Sequence, residues 1–151
     1  MKFRGEQVQK TDAKFRLSIP AAFRRTLHEG GDQRLVLVRS MTGACITVYP
    51  STEWEEREER IAALPQSDEQ VVHVLRFQVA SAAEVTPDGH GRVLLPGVLR
   101  RHANIGANAE VAVVGQIRHF ELWSLERWQA VSAETAADLP QWRRDLSQLG
   151  L

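Results

Sequence analysis

Apolar residues in this chain fall mostly into short runs of strand character. In Arg16-Leu17-Ser18-Ile19, two apolar positions alternate with two polar ones, the period-two mark of a half-buried strand. Arg92–Leu95 reads as its counterpart. Leu35–Val38 and Val111–Val114 are continuous apolar, β-branched-rich runs. Each is turned by a glycine-containing loop, Thr42-Gly43 or Gly115-Gln116, into a further strand over Ile46–Tyr49 or Phe120–Trp123. Phe3–Gln9 and Val79–Val85 complete the strand set.

Pro20 and Pro96 suit helix starts, where a missing N–H costs nothing, so helices are predicted over Ala21–His28 and Gly97–Ala103. Gly30-Gly31 and Gly106 read as their stops. Ser51 and Ser124 are placed to cap helices that bury Trp54 and Trp128, and Asp68 to cap Glu69–Gln78. The charged run after Ser51 spaces Glu53 with Arg57 and Glu56 with Arg60 at i, i+4, as on a solvated helix face. After Pro140, Trp142, Leu146 and Leu149 fall on one stripe of a last helix.

The element order repeats itself. A shift of 76 residues lays Asp12-Ala13-Lys14-Phe15-Arg16 on Asp88-Gly89-His90-Gly91-Arg92, Pro20 on Pro96, and Arg24-Arg25 on Arg100-Arg101. A shift of 74 lays Tyr49 on Trp123 and Trp54 on Trp128. The unit is ββαββα, twice. Four short strands bury too little area to stand alone, so two sets interleaved into one small closed barrel is the expected solution. The domain organisation is therefore 3–54 for the first repeat, 55–78 for connecting helices, 79–128 for the second repeat and 129–151 for a helical tail.

Net charge is zero, but its distribution is uneven. Residues 1–25 hold seven Lys and Arg against two acids, whereas residues 79–101 hold three against two. A basic segment of this kind is an electrostatic footprint for nucleic acid. The single cysteine, Cys45, reads as a small buried apolar residue, and its solitude fits a reducing cytoplasm. The opening Met-Lys-Phe-Arg lacks an apolar h-region, so no secretory signal is expected. Five histidines show no metal-ligand spacing, and neither a nucleophile elbow nor a phosphate loop is present. No catalytic residue, metal or cofactor is predicted.

The two D-x-x-x-R turns, with Phe3-Arg4-Gly5, the Val48-Tyr49-Pro50…Trp54-Glu55 segment and Val113-Val114-Gly115-Gln116…Trp123, resemble the MraZ family. That family comprises tandem relatives of the AbrB/SpoVT regulators. The resemblance covers nearly the whole chain. It implies an α+β, mainly β fold in which two pseudo-symmetric halves form a swapped-hairpin AbrB-like barrel flanked by helices. It also implies a nucleoid-associated transcriptional regulator that binds direct repeats of double-stranded DNA at a division and cell-wall gene promoter, as an octamer-like ring. In this chain Phe15 stands where the family turn usually carries glycine. Either the turn bends differently or the phenylalanine takes an unfavourable conformation.

Within this reading Arg16 and Lys14, then Lys10 and Arg4, are the expected DNA contacts, by position and local charge. Asp12, Asp88 and Arg92 are expected to brace the turns. Two other classes compete with this reading: an antitoxin-like repressor that binds a protein partner, and a small-barrel enzyme. The tail's Trp and Leu residues argue against the first, and the lack of a convergent catalytic set against the second.

Overall fold

The computed structural model describes residues 1–151 and contains eight strands and six α-helices. In chain order these are β1 (Glu6–Lys10), β2 (Arg16–Ser18), α1 (Ala21–Glu29), β3 (Leu35–Arg39), β4 (Ile46–Pro50), α2 (Ser51–Ala62) and α3 (Glu69–Phe77). The second half follows with β5 (Ala83–Val85), β6 (Arg92–Leu94), α4 (Gly97–Ala103), β7 (Glu110–Gly115), β8 (Phe120–Ser124), α5 (Leu125–Ala137) and α6 (Leu139–Leu146).

The sheet orders read as a palindrome. Six strands run β1-β7-β8-β4-β3-β5, and β2 pairs with β6 in a separate ribbon. Exchanging the two halves returns the same order, so a pseudo-twofold axis passes between β4 and β8 and between β2 and β6. The hairpins are swapped: β1 pairs with β7 of the other half, and β5 with β3. All pairings are antiparallel.

Alternation along the strands sorts side chains into two layers. Leu35, Leu37, Ile46, Val48, Val111, Val113, Phe120 and Leu122 point to one face of the sheet. There they meet Leu17 and Ile19 from the first half and Val93 and Leu95 from the second, with Phe23 and Leu27 of α1 and Leu99 of α4. Phe3, Phe23 and Phe120 form a three-ring cluster with centroids 5.0–5.2 Å apart. The opposite face carries two smaller clusters. One is Val36, Val38 and Trp54 under α2; the other is Cys45, Ala112, Val114 and Trp123, packed against by Leu125, Trp128 and Val131 of α5.

Several local expectations are corrected. The strand expected over Val79–Val85 is a 3-10 turn at Val79–Ser81 followed by a strand of three residues. Ser81 Oγ donates to Gln78 O and accepts from the Arg39 N–H, which holds the turn. Ser51 is not a cap; its hydroxyl donates to Asp32 Oδ2, while Ser124 caps α5 and Asp68 caps α3. Asn104, at φ 55°, ends α4 in place of Gly106. The i, i+4 pairs of α2 do not form: Arg57 Nε donates to buried Gln78, and Glu53 pairs with Arg118. Cys45 is fully buried, and burial with the nearby Glu121 carboxylate pushes its thiol up to about 12.

Candidate nucleic-acid interface

The β2–β6 ribbon places both D-x-x-x-R turns side by side. In its register Arg16 lies opposite Leu94, Leu17 opposite Val93, and Ser18 opposite Arg92. Directly opposed residues share a face. Leu17 and Val93 are buried in the main core, so Arg16, Ser18, Arg92 and Leu94 form the outer face, with Leu94 58% exposed. The alternation that makes a strand thus also presents two arginines outward.

Each turn is built the same way. The Asp12 N–H donates to Arg16 O and the Phe15 N–H to Asp12 O; the Asp88 N–H donates to Arg92 O and the Gly91 N–H to Asp88 O. Asp12 Oδ1 accepts the backbone N–H groups of Lys14 and Arg16, each at 2.9 Å. Asp88 Oδ1 accepts those of His90 and Arg92 at 2.8 and 3.0 Å. The Arg16 N–H bond and then the Arg16 guanidinium and Lys14 N–H bonds hold the Asp12 carboxyl below its ordinary value. The Arg92 and His90 N–H bonds do the same for Asp88. The aspartate is therefore the ionised hub of each turn.

The two arginines differ in the carboxylates around them. Arg16 Nε bonds Asp12 Oδ2 at 2.6 Å, and its two terminal nitrogens have no protein partner. Arg92 Nε bonds Asp88 Oδ2 at 3.2 Å, and its Nη1 lies 3.9 Å from Asp12 Oδ2, across the pseudo-twofold. Bracing and outward contact are not exclusive at Arg16, because the Nε bond fixes the plane and leaves the outer edge free. The first turn is also better anchored. Buried Thr11 donates its hydroxyl to Gly106 O at 2.6 Å and accepts the Ala109 N–H at 2.9 Å.

Of the other residues read as DNA contacts, Lys14 projects exposed from the first turn with no ion pair. Lys10 is exposed on β1 but stands opposite Glu110 in the register, which offsets its charge. Arg4 lies beyond the far end of β1, a strand of five residues or about 16 Å from the turn, so the structure does not bring it together with Arg16.

Two residues of the site escaped the sequence reading. Arg24 Nε donates to Ile19 O and Arg100 Nε to Leu95 O, each at 3.0 Å, so an arginine from α1 or α4 holds the end of each ribbon strand. The repeat alignment contained the signal, since it lays Arg24 on Arg100. Their guanidiniums then cross to the turn of the other half. Arg100 lies over the Phe15 ring, and Arg24 occupies the space beside Gly91.

A duplicated, pseudo-twofold swapped-hairpin domain with a paired-turn ribbon on its surface is the class defined by this fold and site. The chain matches the family model described as "MraZ protein, putative antitoxin-like" over residues 2–77 and 79–146. It is 38% identical to the transcriptional regulator MraZ of Hydrogenovibrio crunogenus, over 99% of this chain and 98% of that one. It is 37% identical to that of Nitrosococcus oceani over 99% of both chains, and 38% to that of Saccharophagus degradans over 96% and 99%. The chain belongs to the MraZ family of transcriptional regulators. No helix is long and apolar enough to cross a membrane.

Proposed function

We propose that this protein regulates transcription by binding double-stranded promoter DNA with the outer face of its β2–β6 ribbon. The observation that carries this reading is the pair of turns on that face, with Arg16 tethered through Nε and its outer guanidinium edge free. A two-stranded ribbon fits the major groove, and a free guanidinium edge suits a guanine edge or a phosphate. Lys14 adds a phosphate contact from the same turn. Arg92, shared between two carboxylates, ties the two turns together.

The regulated site is the promoter of a division and cell-wall gene cluster, read as short direct repeats by a nucleoid-associated, ring-shaped homo-oligomer of about eight copies. One ribbon with few cations binds weakly; several in a ring bind by effective concentration. Gel-shift titration against the chain's own upstream region at several salt concentrations tests this. Tight, salt-dependent binding to DNA with repeats, and at least tenfold weaker binding when the repeats are scrambled, is expected. Equal affinity for the scrambled DNA contradicts it.

A further inference from the structure

The two halves differ in what covers the back of the sheet. At the β5 end, the space between the sheet and α2 is filled by the last residues of α3 and the 3-10 turn at Val79–Ser81. Val71 of α3 is buried, as is Ile61 of α2, and Val79 packs on the Val36, Val38 and Trp54 cluster. Gln78, at the end of α3, is buried and bonded to Arg57 and to Arg39 O. At the β1 end the residues before the edge strand take another course. Phe3 turns into the main core, bridged to Ile117, and the Arg4 backbone lies against Gly115. The matching space between β1 and α5 is left as a groove of about 530 Å³. Its apolar lining is Val8, Ala112, Leu125, Trp128, Ala133 and Ala136, and the Trp128 indole donates to Glu6 in the same groove.

The filled side shows what fits the open one: a short helical segment whose end packs between the sheet and a helix. The chain has one such helix to spare. None of α6 is buried; Leu139 and Trp142 are 39% and 38% exposed, and Leu149 beyond them is 75% exposed. In its own chain α6 is tied to α5 by the Trp142 indole, which donates to Thr135 O. It carries Arg143 and Arg144 in its last turn, opposite in sign to Glu6 in the groove. Ala133 and Ala136 are small and exposed, so a helix can approach closely.

From this internal template we infer that α6 of one copy docks in the β1–α5 groove of the next. The joint is heterologous, helix to groove, and repeats head to tail until it closes. It rests on the ring reading above and supplies its contact.

Light-scattering mass, measured without DNA, tests the inference on three chains. One is the unaltered protein, one is truncated after Asp138 so that α6 is absent, and one carries Ala133→Arg with Ala136→Arg. Val8→Glu, on the opposite wall and 54% exposed, is the alternative groove block should the double variant fail to fold by circular dichroism. The unaltered chain is expected to be multimeric and each variant alone monomeric. A one-to-one mixture of truncated and groove-blocked chains is expected to give a two-chain species and nothing larger, since only one intact helix and one intact groove remain. Variants that keep the full multimeric mass, or a mixture that does not associate, overturn the docking while the ring reading stands. A monomeric unaltered chain overturns both.

Discussion

Arg100 stands with its guanidinium carbon 3.5 Å from the centroid of the Phe15 ring, at a residue whose φ is 62°. The left-handed conformation costs a non-glycine residue roughly 1–2 kcal/mol. A cation over an aromatic face returns about 0.5–1 kcal/mol at a partly exposed site. Phenylalanine thus survives in a glycine position because the other half brings a cation to its ring.

Phe15→Gly should therefore change stability little, because relief of strain is offset by the lost stack and by the greater freedom of glycine in the unfolded chain. A double-mutant cycle with Arg100→Ala should show a coupling of about 0.5–1 kcal/mol. Absence of coupling in thermal or urea unfolding would mean the stack is incidental. DNA affinity of Phe15→Gly should be equal or tighter; weaker binding with an unchanged salt slope would make the ring itself a contact.

Gly91 meets the opposite constraint. Its φ is 74°, and a Cβ built there would lie 2.5 Å from Arg24 Cδ. Gly91→Ala should cost about 1–2 kcal/mol of strain and push Arg24 off Ile19 O. Thermal unfolding should show a midpoint lower by several degrees, with a smaller drop in the Arg24→Ala background.

Much of this was legible in the sequence because a duplication prints its own symmetry. The shift that lays Asp12 on Asp88 also lays Pro20 on Pro96, and the paired turns, short helices and alternating strands follow. The interleaving of halves followed from the small area of four short strands. What escaped is non-local: the pairing of β1 with β7 involves residues about a hundred apart, and the period-two pattern says nothing about the partner. Nothing local marks the role of Arg24 and Arg100, because only the fold shows that they cross to the other half's turn. Phe15 was visible as an anomaly, but its partner Arg100 was not. Arg4 was grouped with Arg16 by proximity in sequence, and β1 separates them.

Acid should weaken both turns. Backbone N–H bonds and the arginines hold the Asp12 and Asp88 carboxyls below their ordinary value of 3.8. A group depressed in the folded state contributes stability that is fully present above its unfolded pKa and is lost as pH falls through the folded one. Unfolding midpoints should accordingly be flat in this respect above about pH 5 and should fall below about pH 4. The Asp12→Asn, Asp88→Asn double variant should show a shallower acid decline. An equally steep decline would assign the acid sensitivity elsewhere, for instance to Asp32, whose carboxyl the Arg34 guanidinium holds well below its ordinary value.

The most direct test of the ribbon as a DNA-reading face is a binding titration of Arg16→Ala and Arg92→Ala against the upstream promoter DNA at several salt concentrations. Arg16 has two terminal nitrogens without a protein partner, whereas Arg92 is shared between Asp88 and Asp12. Arg16→Ala should lose binding by about tenfold or more in a protein that stays folded, with a shallower salt slope. Arg92→Ala should lower the unfolding midpoint or the multimeric mass while its folded fraction still binds. Unchanged DNA affinity in a folded Arg16→Ala protein would contradict the account.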